Sequence, residues 1–169
     1  VLKMRTDQNI VIGGAAGAVG PLIGWAAVTG GLAWEAWAQF FLIFFWTPPH
    51  FWALALKYKD NYARAGVPMY PVKRGLRQTH IAILVYSLFC LIPILALFSF
   101  DGAGALFFLG ALALTLKFIW EAYILLQQKT NQQAMRVFHY SCIYTFAVFG
   151  LLFLDAFKPL TLSQILLLL

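Results

Sequence analysis

The stretch TPPHFWALALKYKDNYARAGVPMYPV, residues 47–72, joins an apolar run to a polar loop. Its first part continues a run from Trp34 that has the length and hydrophobicity of a membrane-spanning helix. Its second part carries lysines, arginines and a single acid, and two prolines stiffen its return. The stretch therefore predicts a helix that ends at a membrane surface with a polar site at its mouth.

The composition extends this interpretation to the whole chain. Of its 169 residues, 62% are hydrophobic and only 11% are charged. A soluble domain is about 45–50% apolar and about 25% charged, so lipid must solvate most of this chain. We predict an integral membrane protein. Cys90 and Cys142 lie in apolar runs without metal-type spacing and are interpreted as small buried hydrophobes.

Five apolar runs have the ~20 residues that a helix needs to cross the ~30 Å hydrocarbon core. The runs are continuous rather than alternating, which favours helices over barrel strands. We predict an all-α, polytopic transmembrane helix bundle that forms a single membrane domain over residues 1–169. The predicted spans are 10–28, 34–56, 81–99, 104–126 and 137–157.

Basic residues fall almost entirely on one side of these spans. Ten of the twelve Lys and Arg lie in the N-terminal segment, the loop 57–80 and the segment before the last span. Lys158 lies on the other side, and Lys117 lies within a span. The positive-inside rule makes the first side cytoplasmic. The net charge of +6 therefore indicates topology, and no nucleic-acid partner is predicted.

Prolines and glycines mark the first two spans. The first span carries glycines three or four residues apart, which favours close helix packing or the approach of a flat ligand; these are Gly13, Gly17, Gly20 and Gly24. Pro21 is expected to kink this span. In the second span, Pro48 and Pro49 remove two backbone donors, so we expect the helix to bend or break there.

The polar residues near that proline pair allow two interpretations. Asp60 is the only acid in residues 47–80, which hold six Lys and Arg, so it could bind Mg²⁺ while the cations hold phosphates. The same cluster also fits positive-inside anchoring around one solvated acid. His50 is either a hydrogen-bonded packing residue or part of a ligand pocket. Lys117 and Glu121, four residues apart in the fourth span, are expected to pair.

Three segments carry a resemblance to a known family: TDQNIVIGGAAGAVGPLIGWAAVTG, FFWTPPHFWALALKYKDNYARAGVPMYPV and the following KRG. They closely resemble the heme O synthases (protoheme IX farnesyltransferases), a family of the UbiA-type superfamily of intramembrane prenyltransferases. The resemblance covers most of residues 3–72 and continues as a looser hydropathy match. Members have nine transmembrane helices and two acid-rich cytoplasmic loops, so the chain is expected to supply the last five helices and the second loop.

The resemblance implies transfer of farnesyl from farnesyl diphosphate to a vinyl group of heme B, with Mg²⁺ bridging the diphosphate. It places Mg²⁺ on Asp60 and Asn61. The implied roles of the other residues are catalytic for Asp60, His50, Lys59 and Arg64, and substrate-binding for Trp52, Tyr62, Lys73 and Arg74. Trp46 and Phe51 are further candidates for aromatic walls. The implied setting is the bacterial plasma (inner) membrane with the site loop in the cytoplasm, and association with heme A synthase or terminal oxidase assembly.

Two departures from the family pattern accompany the resemblance. The chain lacks the loop with the first acidic motif, so we expect further sequence upstream and an inactive isolated chain. Family members commonly have two successive acids where this chain has Asp60 and Asn61; the amide can coordinate Mg²⁺ but brings no charge. Two alternatives remain: a prenyltransferase with a quinone-precursor or other aromatic acceptor, and a non-catalytic membrane protein that binds heme or lipid.

Overall fold

The computed structural model describes residues 6–100 and 102–157, and every regular element in those ranges is a helix. The all-α prediction is confirmed. The helices are α1 (Asn9–Gly17), α2 (Gly20–Thr29), α3 (Trp34–Lys57), α4 (Lys59–Arg64), α5 (Tyr70–Lys73), α6 (Leu76–Phe89), α7 (Leu91–Ser99), α8 (Ala105–Gln128) and α9 (Asn131–Asp155). Lys3, Arg5, Lys158 and the C-terminal tail lie outside the described residues.

Within the described ranges, four segments are long and apolar enough to cross a membrane: Asn9–Thr29, Leu76–Ser99, Ala105–Gln128 and Asn131–Asp155. They support the prediction of an integral membrane protein. The remaining predicted span coincides with α3, which has 24 residues. α3 does not belong to this apolar set, because Glu35, Gln39, the proline pair and His50 lower its mean hydropathy. Its crossing of the membrane stays a prediction.

Two of the apolar segments are interrupted near a proline. α1 ends at Gly17, α2 begins at Gly20, and Pro21 lies in the first turn of α2, so the kink predicted there is confirmed. α6 and α7 meet at Cys90, with Pro93 in the first turn of α7. Proline lacks the N–H that would bond to the preceding turn, which explains both interruptions.

The prediction that α3 breaks at Pro48 and Pro49 is wrong, because α3 runs through both residues. Both prolines are buried, and α3 packs between α1, α6 and α9. The loss of two backbone bonds is therefore offset by packing on several sides. Thr47, just before them, donates its hydroxyl to the Ile43 carbonyl at 2.7 Å within the same helix.

The helix boundaries differ from the predicted spans where polar residues continue a helix. α9 begins at Asn131 rather than Val137, because the side chain of Thr130 accepts the N–H of Gln133 at 3.1 Å and caps the helix. α6 begins at Leu76, inside the predicted loop. The turn between α8 and α9 therefore consists of Lys129 and Thr130, with Lys129 in the left-handed conformation (φ 56°).

The core lies around α3, which contacts α1, α2, α6, α7 and α9, while α8 packs against α6 and α9. Trp52, Phe118 and Tyr144 are among its largest buried side chains. On α8, Lys117 donates to Glu121 at 2.9 Å, which confirms the predicted pair. Cys90 is buried, Cys142 is partly buried, and both are free thiols.

The two ends of the bundle differ in charge. At the end where α3 finishes and α6 starts lie all the described basic residues except Lys117, namely Lys57, Lys59, Arg64, Lys73, Arg74, Arg77, Lys129 and Arg136. Glu35 and Asp155 lie at the opposite end. The connectivity therefore gathers the cations of separate segments at one end of the bundle, which we call the basic end.

Candidate functional site

The segment between α3 and α6 forms two short helices at the basic end. Tyr58 joins α3 to α4: its N–H donates to the Leu54 carbonyl at 3.3 Å, and its own carbonyl accepts the Tyr62 N–H at 3.1 Å. The chain then turns at Gly66 (φ 67°) and enters α5. α4 and α5 contact each other, and both contact α3. The residues that the sequence predicted for a loop thus lie on helices attached to the end of α3.

Asp60 and Asn61 are adjacent and exposed on α4. The Arg64 guanidinium donates to the side-chain oxygen of Asn61 at 2.5 Å. Within the described residues, the Asp60 carboxylate accepts no hydrogen bond and forms no ion pair, so its oxygens are available to a ligand. The two predicted metal ligands are therefore together at the surface of the basic end.

These two side chains suit part of a Mg²⁺ site. In the ranges 6–100 and 102–157, no group of three or more His, Cys, Asp and Glu side chains is arranged to hold a metal. Mg²⁺ usually keeps several waters and takes one or two carboxylates together with substrate phosphates. Asp60 offers a carboxylate and Asn61 an amide oxygen, which are hard ligands of the right kind. The donor set fits a site that a diphosphate would complete.

The predicted cations have different surroundings. Lys59 is half-buried, while Arg64 and Lys73 are exposed. Arg74 follows α5 and donates through Nε to the Asp7 carboxylate, just before α1. This hydrogen bond, with the charge of Asp7, raises the pKa of the Arg74 guanidinium, which therefore stays charged. Arg74 thus links the α4–α5 segment to the start of α1.

The aromatic candidates also differ in position. Trp52 is 1% exposed and stacks on Tyr70 of α5 with ring centroids 4.5 Å apart. It meets Tyr86 of α6 edge-on at 5.4 Å. Tyr62 is half-buried on α4. Trp52 therefore lies beneath α5, where it supports the site segment from inside the core.

His50 lies deeper in the bundle, in a stack of aromatic rings. Its imidazole is stacked between Trp46, at 4.5 Å, and Phe138 of α9, at 4.7 Å. Its Nδ1 is 2.7 Å from the Ser141 hydroxyl, and the Trp46 indole N–H donates to the Ser141 carbonyl at 2.9 Å. At a helical rise of ~1.5 Å per residue, His50 is ~10 Å below the end of α3. It is thus separate from the α4 residues.

A cleft of about 410 Å³ lies between α1 and α3. Its lining is mostly apolar and comprises Asn9, Ile10, Gly13, Gly14, Gly17, Ile43, Trp46, Thr47 and Phe51. A Cβ at any of Gly13, Gly17, Gly20 and Gly24 would meet no described atom within 4 Å, so the close helix packing favoured for them does not occur among the described residues. Gly14 makes the close approach instead, because a Cβ there would lie 3.0 Å from Thr47.

Comparison with known proteins shows the family of this chain. The model of the UbiA prenyltransferase family matches residues 1–160. The chain belongs to the UbiA prenyltransferase family. This UbiA-family chain is 46% identical over 92% of its length to a protoheme IX farnesyltransferase of Bordetella pertussis, covering 52% of that protein. It is 48% identical over 91% of its length to the Parvibaculum lavamentivorans protein of the same name, covering 50%. The predicted resemblance is confirmed.

The UbiA-family chain spans about half the length of the curated relatives it matches. A third relative, the protoheme IX farnesyltransferase of Thioalkalivibrio sulfidiphilus, is 46% identical over 96% of the chain and 54% of its own length. No solved structure matches the chain.

Sequence reasoning brought together the residues of α4 because they are neighbours in the chain. It did not find Asp7, Phe138 or Ser141, which reach Arg74 and His50 from 67 to 91 residues away. No local pattern marks these partners, since a serine or an aspartate in an ordinary helix or turn has the same sequence appearance.

Proposed function

We propose that this chain forms part of an intramembrane prenyltransferase that moves farnesyl from farnesyl diphosphate to a vinyl group of heme B, giving heme O. The observation that carries the proposal is the exposed pair Asp60 and Asn61, held among cations at the end of an apolar bundle. A farnesyl tail requires a lipid-like environment, whereas its diphosphate requires cations and water. At the basic end, the cations lie within one helix length of the apolar interior of the bundle.

The diphosphate end of the mechanism involves α4 and α5. Asp60, and Asn61 once released from Arg64, would hold Mg²⁺; the chemistry that this ion supplies is neutralisation of the diphosphate charge. Lys59, Arg64 and Lys73 donate hydrogen bonds to the phosphate oxygens as the C–O bond breaks. Arg74 holds the segment to α1 through Asp7 and adds its positive charge nearby.

The apolar end of the mechanism involves α1 and α3. The allylic cation that forms when diphosphate leaves is stabilised by aromatic faces and destroyed by early contact with water. Trp46 and Phe51 line the cleft beside α1, where exposed glycine backbone leaves room for a flat porphyrin. Tyr62 and Trp52 shape the end of this path, Trp52 through its stack on Tyr70.

The charge difference between the two ends supports an orientation. By the positive-inside rule, the basic end faces the cytoplasmic side of a bacterial plasma membrane. The product is a membrane-embedded heme, so a heme-modifying or oxidase-assembling partner such as heme A synthase is proposed to receive it.

The test uses membranes that carry the protein from its complete reading frame. They are given heme B, farnesyl diphosphate and Mg²⁺, and the extracted hemes are analysed by mass spectrometry. We expect a heme that is heavier by one farnesyl group plus one hydroxyl group. With Asp60→Ala, formation of this product should fall at least about a hundredfold, because one preorganised charge interaction at a reacting centre has that magnitude.

Controls separate this result from misfolding. Asp60 is exposed and unpaired within the described structure, so Asp60→Ala should insert and accumulate normally, as measured by detergent extraction and size-exclusion chromatography. A wild-type membrane that leaves heme B unchanged but prenylates a quinone precursor would assign the acceptor differently. Unchanged turnover in Asp60→Ala would remove Asp60 from the mechanism.

A further inference from the structure

Ser141 of α9 connects three groups around His50. Its hydroxyl is 2.7 Å from His50 Nδ1 and 2.6 Å from the Phe138 carbonyl, and its carbonyl accepts the indole N–H of Trp46 at 2.9 Å. Ser141 is fully buried. The same residue therefore fixes both the imidazole and one of the two rings that stack on it.

These distances determine which nitrogen of a neutral His50 carries the proton. A serine hydroxyl has one proton to donate. The Phe138 carbonyl can only accept, and at 2.6 Å it must receive that proton, because two oxygens at this distance without a hydrogen would repel each other. The hydroxyl then accepts from His50, so the proton lies on Nδ1 and Nε2 keeps its lone pair.

The ring stack keeps this lone pair in one place. Trp46 and Phe138 cover the two faces of the imidazole, with interplanar angles of 23° and 27°, so the ring can neither turn nor tilt freely. Among the described residues, Nε2 has no hydrogen-bond partner and is not among the buried polar atoms that lack one. The basic nitrogen is thus accessible at the ring edge, and α3 places it ~10 Å from the basic end of the bundle.

We propose that Ser141 is a positioning residue that holds His50 in the Nδ1–H form, so that Nε2 takes the proton of the water that adds to the porphyrin side chain. The inference rests on the proposed function. The farnesyl C–O bond breaks with loss of diphosphate, and farnesyl C1 bonds to the terminal vinyl carbon. The cation left beside the pyrrole ring then bonds to a water oxygen, and one water proton passes to Nε2. No oxidant or reductant is required.

This role makes a specific prediction about product. Without His50 to take the water proton, the same cation instead loses a proton from the adjacent CH₂ to the released diphosphate and forms an alkene. The product is then a farnesylated heme that is lighter than the normal product by one water. Prenylation itself continues, because His50 acts after the C–C bond has formed. A purely structural role of His50 or Ser141 would lower the total amount of product without changing this ratio.

The experiment compares His50→Asn and Ser141→Ala in membranes carrying the full-length protein, with both products measured by mass spectrometry. Asn keeps a donor near the Nδ1 position but lacks the base, so the hydrated-to-dehydrated ratio should fall on the order of a hundredfold. Ser141→Ala leaves Nδ1–H without its acceptor and should lower the ratio about tenfold, the effect of one hydrogen bond. Ser87→Ala is the matched control, since Ser87 is equally buried and donates to the Ile83 carbonyl at 2.8 Å.

The hydrated-to-dehydrated product ratios of the three variants decide whether Ser141 and His50 have these roles. The inference is supported if the ratio is highest in Ser87→Ala, lower in Ser141→Ala and lowest in His50→Asn. A wild-type ratio in folded His50→Asn, or the absence of both products, overturns it, because the base would then be elsewhere or be needed before hydration. If His50→Asn fails to fold, the Ser141→Ala ratio alone carries the test. Wild-type membranes that make no farnesylated heme overturn the proposed function, and this inference with it.

Discussion

The Arg64 guanidinium donates to the amide oxygen of Asn61 at 2.5 Å, across one turn of α4. The two side chains are exposed beside Asp60. A guanidinium that binds the amide oxygen competes with a metal for the same lone pairs. The proposed Mg²⁺ site therefore has one charged ligand and one neutral ligand that is already engaged.

We predict that Asn61→Asp lowers the Mg²⁺ concentration that gives half-maximal turnover. The substitution adds one negative charge to the ligand set, and ligand charge tunes the affinity of oxygen sites for divalent cations, here by up to about tenfold. The measurement is the Mg²⁺ dependence of farnesylated heme formation at saturating farnesyl diphosphate. Asn61→Ser, which has a smaller neutral oxygen, is the control and should shift the dependence the other way. An unchanged dependence in both variants would remove residue 61 from the metal site.

The Arg74–Asp7 pair gives a second prediction. Arg74 acts either as a tether through Asp7 or directly on the substrate, and the two roles differ in a double-mutant cycle. As a tether, Asp7→Ala and Arg74→Ala should raise the KM for farnesyl diphosphate by similar factors, and the double variant should be no worse than either. If Arg74 also binds phosphate, Arg74→Ala should raise the KM for farnesyl diphosphate more than Asp7→Ala does.

The measurement for this cycle is the KM of the four proteins at fixed heme B. The charge-reversed pair Asp7→Arg with Arg74→Asp serves as the control, since it restores a tether but places an acid at position 74. Recovery of KM in the reversed pair supports the tether, and failure of recovery supports a direct role in substrate binding.

Gly14 gives a third prediction, on the packing of α1 against α3. A Cβ at Gly14 would lie 3.0 Å from Thr47 Cγ2 and 3.1 Å from Thr47 Cβ, and Thr47 is buried with its hydroxyl on Ile43. Because Thr47 has little freedom to move, Gly14→Ala should lower the free energy of unfolding by about 1–2 kcal/mol.

The control for Gly14→Ala is Gly24→Ala, where a Cβ would meet no described atom within 4 Å. It should be neutral or stabilising by up to about 1 kcal/mol, because alanine has the higher helix propensity. Thermal unfolding in detergent measures both. Equal effects of the two substitutions would contradict the packing role of Gly14.

Hydropathy predicted the helices well because burial in lipid is a property of continuous segments. Local spacing also sufficed for Lys117 and Glu121, whose contact depends only on the geometry of one helix. Pro48 and Pro49 were misinterpreted because the backbone rule describes an isolated helix, whereas α3 is held from several sides. Local signals predict local structure, and tertiary packing overrides them where a helix is central.

The sequence predicts only those contacts of the site that join residues close together in the chain. Lys59 to Arg64 lie on one short helix, so their proximity follows from the sequence. The contacts of His50 with Ser141 and of Arg74 with Asp7 depend on which helices meet, and hydropathy does not specify that. Likewise, the glycine stripe indicated a face suited to close approach, but Gly14, outside the stripe, makes the contact.

Asp155 gives the last prediction, at the end of the bundle opposite to the site. The N-cap residue of α8 is Gly104, which has no side chain, and Asp155 of α9 supplies the missing acceptor. Its carboxylate accepts the N–H of Gly104 at 2.5 Å and that of Phe107 at 3.1 Å, and the residue is 2% exposed. Asp155→Ala should therefore lower the free energy of unfolding by about 2–3 kcal/mol, since two buried donors lose a charged acceptor.

Asp155→Asn keeps one acceptor oxygen, so it should lower the free energy of unfolding by roughly half as much. Thr130→Ala, which removes the exposed cap of α9, is the comparison and should cost about 1 kcal/mol. Thermal unfolding in detergent measures all three, and an Asp155→Ala variant no less stable than Thr130→Ala would contradict the capping role.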